Sequence, residues 1–254
     1  MTEVTFTGTG TSQGIPVIGC SCDVCKSMHP HDKRLRSSIL IKHNGKNMVI
    51  DTGPDFRQQM LRENVKSLEA VIMTHEHKDH IAGLDDVRAF NFLSKGAMDI
   101  YATERVQAAL KREFYYAFTD EKYPGTPELN LIKIDNSKFE ICGLEFLPIE
   151  VNHFKLPVFG FRFNDFTYIT DAKTISEKEM EKIKGSRFLV LNALRKSDHI
   201  SHFTLTEALD IIEKIKPEKA YLTHLSHLMG KHDETELLLP DNVFIAYDGL
   251  KIKL

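Results

Sequence analysis

The sequence predicts an α/β protein that carries its chemistry at strand ends. Short apolar runs rich in β-branched and leucine residues, such as 70–73 and 189–191, interleave with longer stretches of helical character, such as 205–214. Four candidate metal ligands, His75, His77, Asp79 and His80, crowd into six residues directly after one of those runs. Single histidines and aspartates close several later runs. In α/β folds the carboxyl ends of strands are where binding and catalytic groups collect.

Composition narrows the class of function. A chain of 254 residues that is 42% hydrophobic can bury a sizeable core as one domain over residues 1–254. Its formal net charge of −3 gives no global basic field for gathering a long polyanion, which favours a small substrate without excluding RNA. No apolar stretch approaches the roughly 18 residues of a membrane span, and residues 1–6 lack a basic and then apolar leader pattern. A cytoplasmic protein with no membrane partner is expected. Four cysteines would permit two disulfides in a secreted chain. Three of them, Cys20, Cys22 and Cys25, fall within six residues, and that clustering fits metal binding better.

Taken in order, residues 4–6 read as a strand entering the glycine-rich loop 8–16. No Gly-Lys-Ser/Thr follows, so the loop is not a phosphate-binding P-loop and is expected to line a pocket. Cys20, Cys22 and Cys25 can close three corners of a tetrahedral zinc site, with the fourth ligand supplied from elsewhere. His29 and His31 lie in a polar stretch and are expected at the surface. Residues 38–43 and 47–51 bracket Asn44-Gly45, which is hairpin chemistry. Asp51 ends the second strand, where it either supports a ligand or caps the turn, and 55–64 reads as a helix. Strand 70–73 then delivers the histidine cluster, and a helix is expected to open at Ile81. Residues 85–93 read as a helix, 99–102 as a strand, and 103–117 as a helix capped by Thr103.

The segment 114–130 is aromatic and turn-rich, and is expected to be a surface excursion partly packed on the core. A lid or a contact with a second copy of the chain are its other readings. Residues 131–134, 138–141 and 144–150 read as strands, and Cys142 as a small buried residue.

Within the cluster, His75 and His77 are spaced to converge on one ion while Asp79 and His80 have turned far enough to serve a second. One turn supplies too few ligands for two ions, so further histidines and aspartates are needed at later strand ends. His153, Asp171 and His224 stand there. His227 follows His224 by three residues and need not share its ion. His202 precedes the helix 205–214, with Thr204 as that helix's cap and His199 as a solvent-facing neighbour.

The motif His75-x-His77-x-Asp79-His80 resembles the signature of the metallo-β-lactamase superfamily of metal-dependent hydrolases. The likeness implies a four-layer αββα sandwich, two mixed sheets flanked by helices. It implies a dinuclear centre of zinc or manganese: His75, His77 and His153 on one ion, Asp79, His80 and His224 on the other, and Asp171 bridging. Cys20, Cys22, Cys25 and His227, together with Gly8-Thr9-Gly10-Thr11-Ser12, look more narrowly like the phosphoribosyl cyclic phosphodiesterases of the carbon-phosphorus lyase pathway, with the cysteines and His227 holding a structural zinc.

On that likeness Asp79 and His202 serve catalysis, His202 as a general acid or as a stabiliser of charge on phosphorus. The implied activity is hydrolysis of a small cyclic or nucleotide-like phosphodiester by a hydroxide held between two ions. Asn192 departs from the pattern, because an aspartate is expected at that strand end. Two rivals remain: an endoribonuclease of the tRNA 3′-processing type, which would need a projecting arm, and a catalytically silent zinc-binding module.

Overall fold

The computed structural model describes residues 1–254. The first half of the chain builds a sheet from β1 (Thr2–Gly8), β2 (Ser38–His43), β3 (Lys46–Ile50), β4 (Ala70–Ile72), β5 (Met98–Ala102) and β6 (Leu129–Lys133), side by side in that order. Strands β1 to β3 form an antiparallel meander, and β3 to β6 run parallel. Asn44 and Gly45 turn β2 into β3 at φ 49° and 81°, the paired positive angles of a type I′ turn. The helices of this half are α1 (Asp23–Lys26), α2 (Phe56–Arg62), α3 (Lys78–Ile81), α4 (Arg88–Ser94) and α5 (Glu104–Glu113).

The second half adds β7 (Phe139–Ile141), β8 (Leu144–His153), β9 (Leu156–Phe163), β10 (Phe166–Ile169), β11 (Thr174–Ile175), β12 (Phe188–Asn192), β13 (Lys219–Thr223) and β14 (Val243–Ile245). Their order is β11-β8-β9-β10-β12-β13-β14, with β7 paired to β8. Helices α6 (Glu177–Ile183), α7 (Leu205–Ile215) and α8 (His232–Glu236) belong to this half, and β15 (Lys251–Lys253) returns to the first sheet beside β1.

Alternation along each strand assigns the layers. Ile39, Ile41, Met48 and Ile50 point into the core shared with Phe146, Phe161 and Tyr168 of the second sheet. Leu40 and Val49, one residue out of phase, join the core beneath α2 and α5. In β12, Val190 faces the central core, while Leu189 and Leu191 pack with Ala208 and Ile212 of α7. Each sheet is therefore buried on both faces, which explains strands that read as near-continuous apolar runs. The result is the expected sandwich of two mixed sheets flanked by helices.

Local differences from the sequence reading have physical causes. The helix expected over 103–117 begins under its Thr103 cap but ends at Glu113, where Phe114 turns inward and is buried. Residues 115–117 continue as a 3-10 turn tied to Asp85 by the Tyr116 hydroxyl at 2.6 Å, so this part of 114–130 packs on the core, while Tyr115 and Tyr123 stay exposed. Cys142 is exposed rather than buried. It and Gly143 form the tip of the β7–β8 hairpin at φ 53° and 82°. The helix expected from Ile81 instead starts at Lys78, so Asp79 and His80 sit on its first turn. No helix is long and apolar enough to cross a membrane.

Candidate metal centre

The site is assembled at strand ends of both sheets. Asp51 follows β3 and His75–His80 follows β4 in the first sheet. His153 closes β8, and Asp171, His202 and His224 come after β10, β12 and β13 in the second. Asp51, Asp171 and His224 take positive φ of 65°, 54° and 55°. Non-glycine residues avoid that region, and holding them there costs of order 1–3 kcal/mol each, so tertiary structure is forcing the chain to turn sharply and aim these side chains.

The turn is fixed by close backbone approach. A Cβ on Gly83 would stand 2.1 Å from the Gly53 carbonyl oxygen, and one on Gly53 would stand 2.2 Å from that of Asp79. Only residues without side chains let the loop after β3 lie directly against α3.

Within this frame the ring of His75 lies 4.6 Å from that of His77 and 5.8 Å from that of His153, centroid to centroid, and the latter two are 5.1 Å apart. The nitrogens His75 Nε2 and His77 Nδ1 approach to 3.1 Å. Beside them Asp171 Oδ2 lies 3.1 Å from His80 Nε2, Asp171 Oδ1 lies 3.2 Å from His224 Nε2, and Asp79 Oδ2 lies 3.2 Å from His80 Nε2. Donor atoms sharing one tetrahedral ion at 2.0–2.1 Å are themselves about 3.3 Å apart. The sequence-selected ligands His75, His77, Asp79, His80, His153, Asp171 and His224 therefore all meet in one place. His202 joins them, its Nδ1 3.6 Å from Asp171 Oδ1.

Outer hydrogen bonds orient the rings. His80 Nδ1 donates to Asp51 Oδ2 at 2.7 Å, which points Nε2 at the cluster. Asp51 also accepts from the Thr74 amide and hydroxyl at 2.9 and 2.8 Å, so it supports the site rather than merely capping a turn. His153 Nδ1 donates to the Ser201 carbonyl at 2.8 Å, leaving Nε2 as the free lone pair. The Thr170 hydroxyl donates to Asp171 Oδ2 at 2.7 Å, and Thr11 from the glycine-rich loop reaches His224 Nε2 at 3.1 Å. Asn192 accounts for its departure from the expected aspartate. Its Oδ1 accepts from the Ala172 amide at 2.8 Å and its Nδ2 donates to the Ala172 carbonyl at 3.0 Å, a two-way clamp that a carboxylate could not make.

Sequence reasoning missed Thr74, Thr170 and the Ser201 carbonyl. A signal was available for the threonines, since Thr74-His75, Thr170-Asp171 and Thr223-His224 repeat one pattern.

Electrostatics set the protonation states. Burial opposes charge on His80, but the carboxylates of Asp79, Asp171 and Asp51 overcome it and hold this ring well above the ordinary imidazole range. Burial also opposes charge on Asp171, and His224 and His80 overcome it, leaving its carboxyl well below the ordinary range. Burial first, then the neighbouring His80, push His75 well down. His202 is lowered to about 3 by burial and then by His224. Two nitrogens that face the cluster, His80 Nε2 and His202 Nδ1, are buried without a hydrogen-bond partner. A buried donor set with orphaned nitrogens and acidic oxygens fits divalent cations.

A second cluster joins the N-terminal loop to the segment after β13. Cys20 Sγ and Cys22 Sγ lie 3.4 and 3.3 Å from His227 Nδ1, and Cys25 completes the group. The amides of Cys25 and Val17 point at Cys22 Sγ and Cys25 Sγ, each at 3.4 Å. The Cys25 amide, followed by His227, lowers the Cys22 thiol to about 6. As the sequence suggested, His224 and His227 part company: one faces Asp171 and the other the cysteines.

A family model described as the beta-lactamase superfamily domain matches residues 46–225, a span that holds every ligand of the first cluster. The chain belongs to the metallo-β-lactamase superfamily. The fold implies divalent metal ions. A solved structure titled as a new diphosphatase from the PhnP family is 39% identical, with a TM-score of 0.94 over 100% of this chain and 98% of that one. A curated octanoyltransferase of Porphyromonas gingivalis (strain ATCC BAA-308 / W83) is 40% identical over 247 residues, 96% of this chain and 50% of that protein. The chain thus spans about half the length of that relative. Zinc-bound PqqB from Methylobacterium extorquens shares the fold at a TM-score of 0.81 and 18% identity, covering 99% of this chain and 100% of that one.

Proposed function

We propose that this metallo-β-lactamase member hydrolyses the phosphodiester bond of a small cyclic or nucleotide-like substrate, of the phosphoribosyl cyclic phosphate type. The observation that carries the reading is the position of Asp171. It is shared by two groups of converging donors, one with Asp79, His80 and His224 and the other with His153 and His202, as a carboxylate spanning two ions would be. His75, His77, His153 and Asp171 would hold one ion, and Asp79, His80, Asp171 and His224 the other, zinc or manganese in each. Cys20, Cys22, Cys25 and His227 would hold a structural zinc. Likeness to a diphosphatase supports phosphorus as the electrophile. The octanoyltransferase name belongs to a protein about twice this length and does not carry over from a match to half of it.

When bound, paired divalent ions supply a lowered water pKa and neutralise charge building on phosphorus. The chain's own groups do the rest. Asp79 and Asp171 bring negative charge that favours dications over protons, and Asp51 and the Ser201 carbonyl keep His80 and His153 aimed. His202 enters as a neutral ring able to donate an N–H to a nonbridging or departing oxygen. It becomes a proton donor when the negative charge of a bound phosphodiester raises its pKa.

In the segment 114–130, Phe114 and Ala117 are buried and only 119–125 form a continuous exposed stretch, short for the projecting arm that the tRNA-processing reading requires. The test is turnover of bis-nitrophenyl phosphate and of a panel of cyclic ribose phosphates and cyclic nucleotides by manganese- or zinc-loaded protein. Hydrolysis of the cyclic compounds at the higher kcat/KM supports the proposal. No turnover of any diester would leave the silent zinc module, and salt-steep tRNA binding would shift the reading to the endoribonuclease.

A further inference from the structure

We propose that His29, His31 and Asp233 form an additional transition-metal site, separate from both the hydrolytic centre and the cysteine cluster. One donor atom from each of these three residues falls within 4.8 Å of the others. His29 and His31, expected at the surface, are instead half-buried, and Asp233 is exposed. The residues come from opposite ends of the chain: the two histidines flank Pro30 in the loop after α1, and the aspartate lies on the first turn of α8.

The arrangement is held in place by contacts that leave ligand atoms free. The His31 ring stacks on Tyr247 with centroids 3.8 Å apart and planes 14° from parallel, which fixes the ring through its face and leaves its edge open. His29 stands edge-on to it at 5.0 Å and turns Nε2 towards Asp233 Oδ2 at 3.6 Å, close to the spacing of two donors on one ion. The neighbouring His232 is already engaged, with Arg34 at Nδ1 (3.2 Å) and Glu236 at Nε2 (3.5 Å), and is not part of the set. Beside His29 and Asp233 opens a polar hollow of about 480 Å³, where the carboxylates of Asp23, Asp32, Asp233 and Glu234 outnumber the two lysines Lys26 and Lys231. Its carboxylates favour a cation, and its volume leaves room for the waters that would complete the coordination.

Two imidazoles and one carboxylate select borderline divalent ions such as nickel or zinc over calcium or magnesium. The site should be weaker than the cysteine cluster. His29 Nδ1 accepts a long hydrogen bond from the His31 amide at 3.3 Å, and coordination through Nε2 moves the ring proton onto Nδ1 and gives that bond up. An ion here would add a second tie between the segments that the cysteines and His227 already join.

The experiment is calorimetric titration of Ni²⁺ into protein carrying its resident zinc, with metal analysis afterwards to show that the resident zinc is retained. One additional equivalent at about micromolar affinity is expected. His29→Asn keeps an acceptor for the His31 amide, and His31→Phe keeps the stack on Tyr247. Each should weaken nickel binding by at least about tenfold, and the pair together should abolish it, with hydrolysis unchanged. Asp233→Ala removes an exposed side chain and tests the same site without touching the fold. Absence of the additional equivalent, or its survival in the double variant, overturns the proposal.

Discussion

Asp51 and His224 leave extended geometry one residue beyond the end of a strand and Asp171 two residues beyond, and in each the departure points a side chain at one buried volume. Strain of this kind persists where the surroundings determine it, and here threonine hydroxyls and the Asn192 clamp do so. His202 is the residue whose role is most open to a direct test. If its neutral ring donates to a phosphoryl oxygen, His202→Ala lowers kcat by about 10²- to 10⁴-fold with the bound-metal count unchanged. Steady-state kinetics beside metal analysis reads both, and unchanged turnover would remove His202 from the mechanism. The ligand residues were legible because His and Asp at strand ends are chemically conspicuous. The groups that aim them were not, since a carbonyl such as that of Ser201 leaves no trace in the side-chain alphabet.

Among the elements, α6 shows what sequence reading passed over. Its run of glutamates and lysines carries few apolar residues, yet it packs on β8 through Glu179, whose side chain is only 5% exposed. That carboxylate accepts from the Glu150 amide at 2.9 Å, from Asn136 at 3.1 Å and from Lys182 at 2.8 Å. Burial pushes Glu179 up, but Lys182 and the Glu150 amide outweigh it, so its pKa lies below the ordinary carboxylate range. A depressed folded-state value means stability that is complete above the unfolded pKa and lost as pH falls through the folded one. Glu179→Gln should therefore cost about 1–3 kcal/mol at pH 7, and the gap from the unchanged protein should narrow below about pH 4. Urea midpoints at pH 7 and pH 3.5 check it, and a gap that does not depend on pH would refute the charge argument. Strands β14 and β15 escaped notice for a related reason: at three residues each they are too short for alternation to register.

Across the whole molecule, the cysteine cluster ties together two segments far apart in the chain, from Cys20 to His227. If it holds zinc, Cys25→Ser should release one zinc equivalent and destabilise the protein by about 5 kcal/mol, on the scale of a cross-link closing a long loop. Melting curves and zinc content together test this, and full zinc retention would remove Cys25 from the cluster. The four-layer stacking followed from family likeness rather than from periodicity, because strands buried on both faces lose the alternation that would reveal two sheets. The ligands are divided between those sheets, with His75, His77, Asp79 and His80 on one and His153, Asp171 and His224 on the other. Neither half owns a complete coordination set. Divalent ions can therefore act as a latch that closes only after the two halves have found each other, and warming that parts them should release the ions before either half unravels.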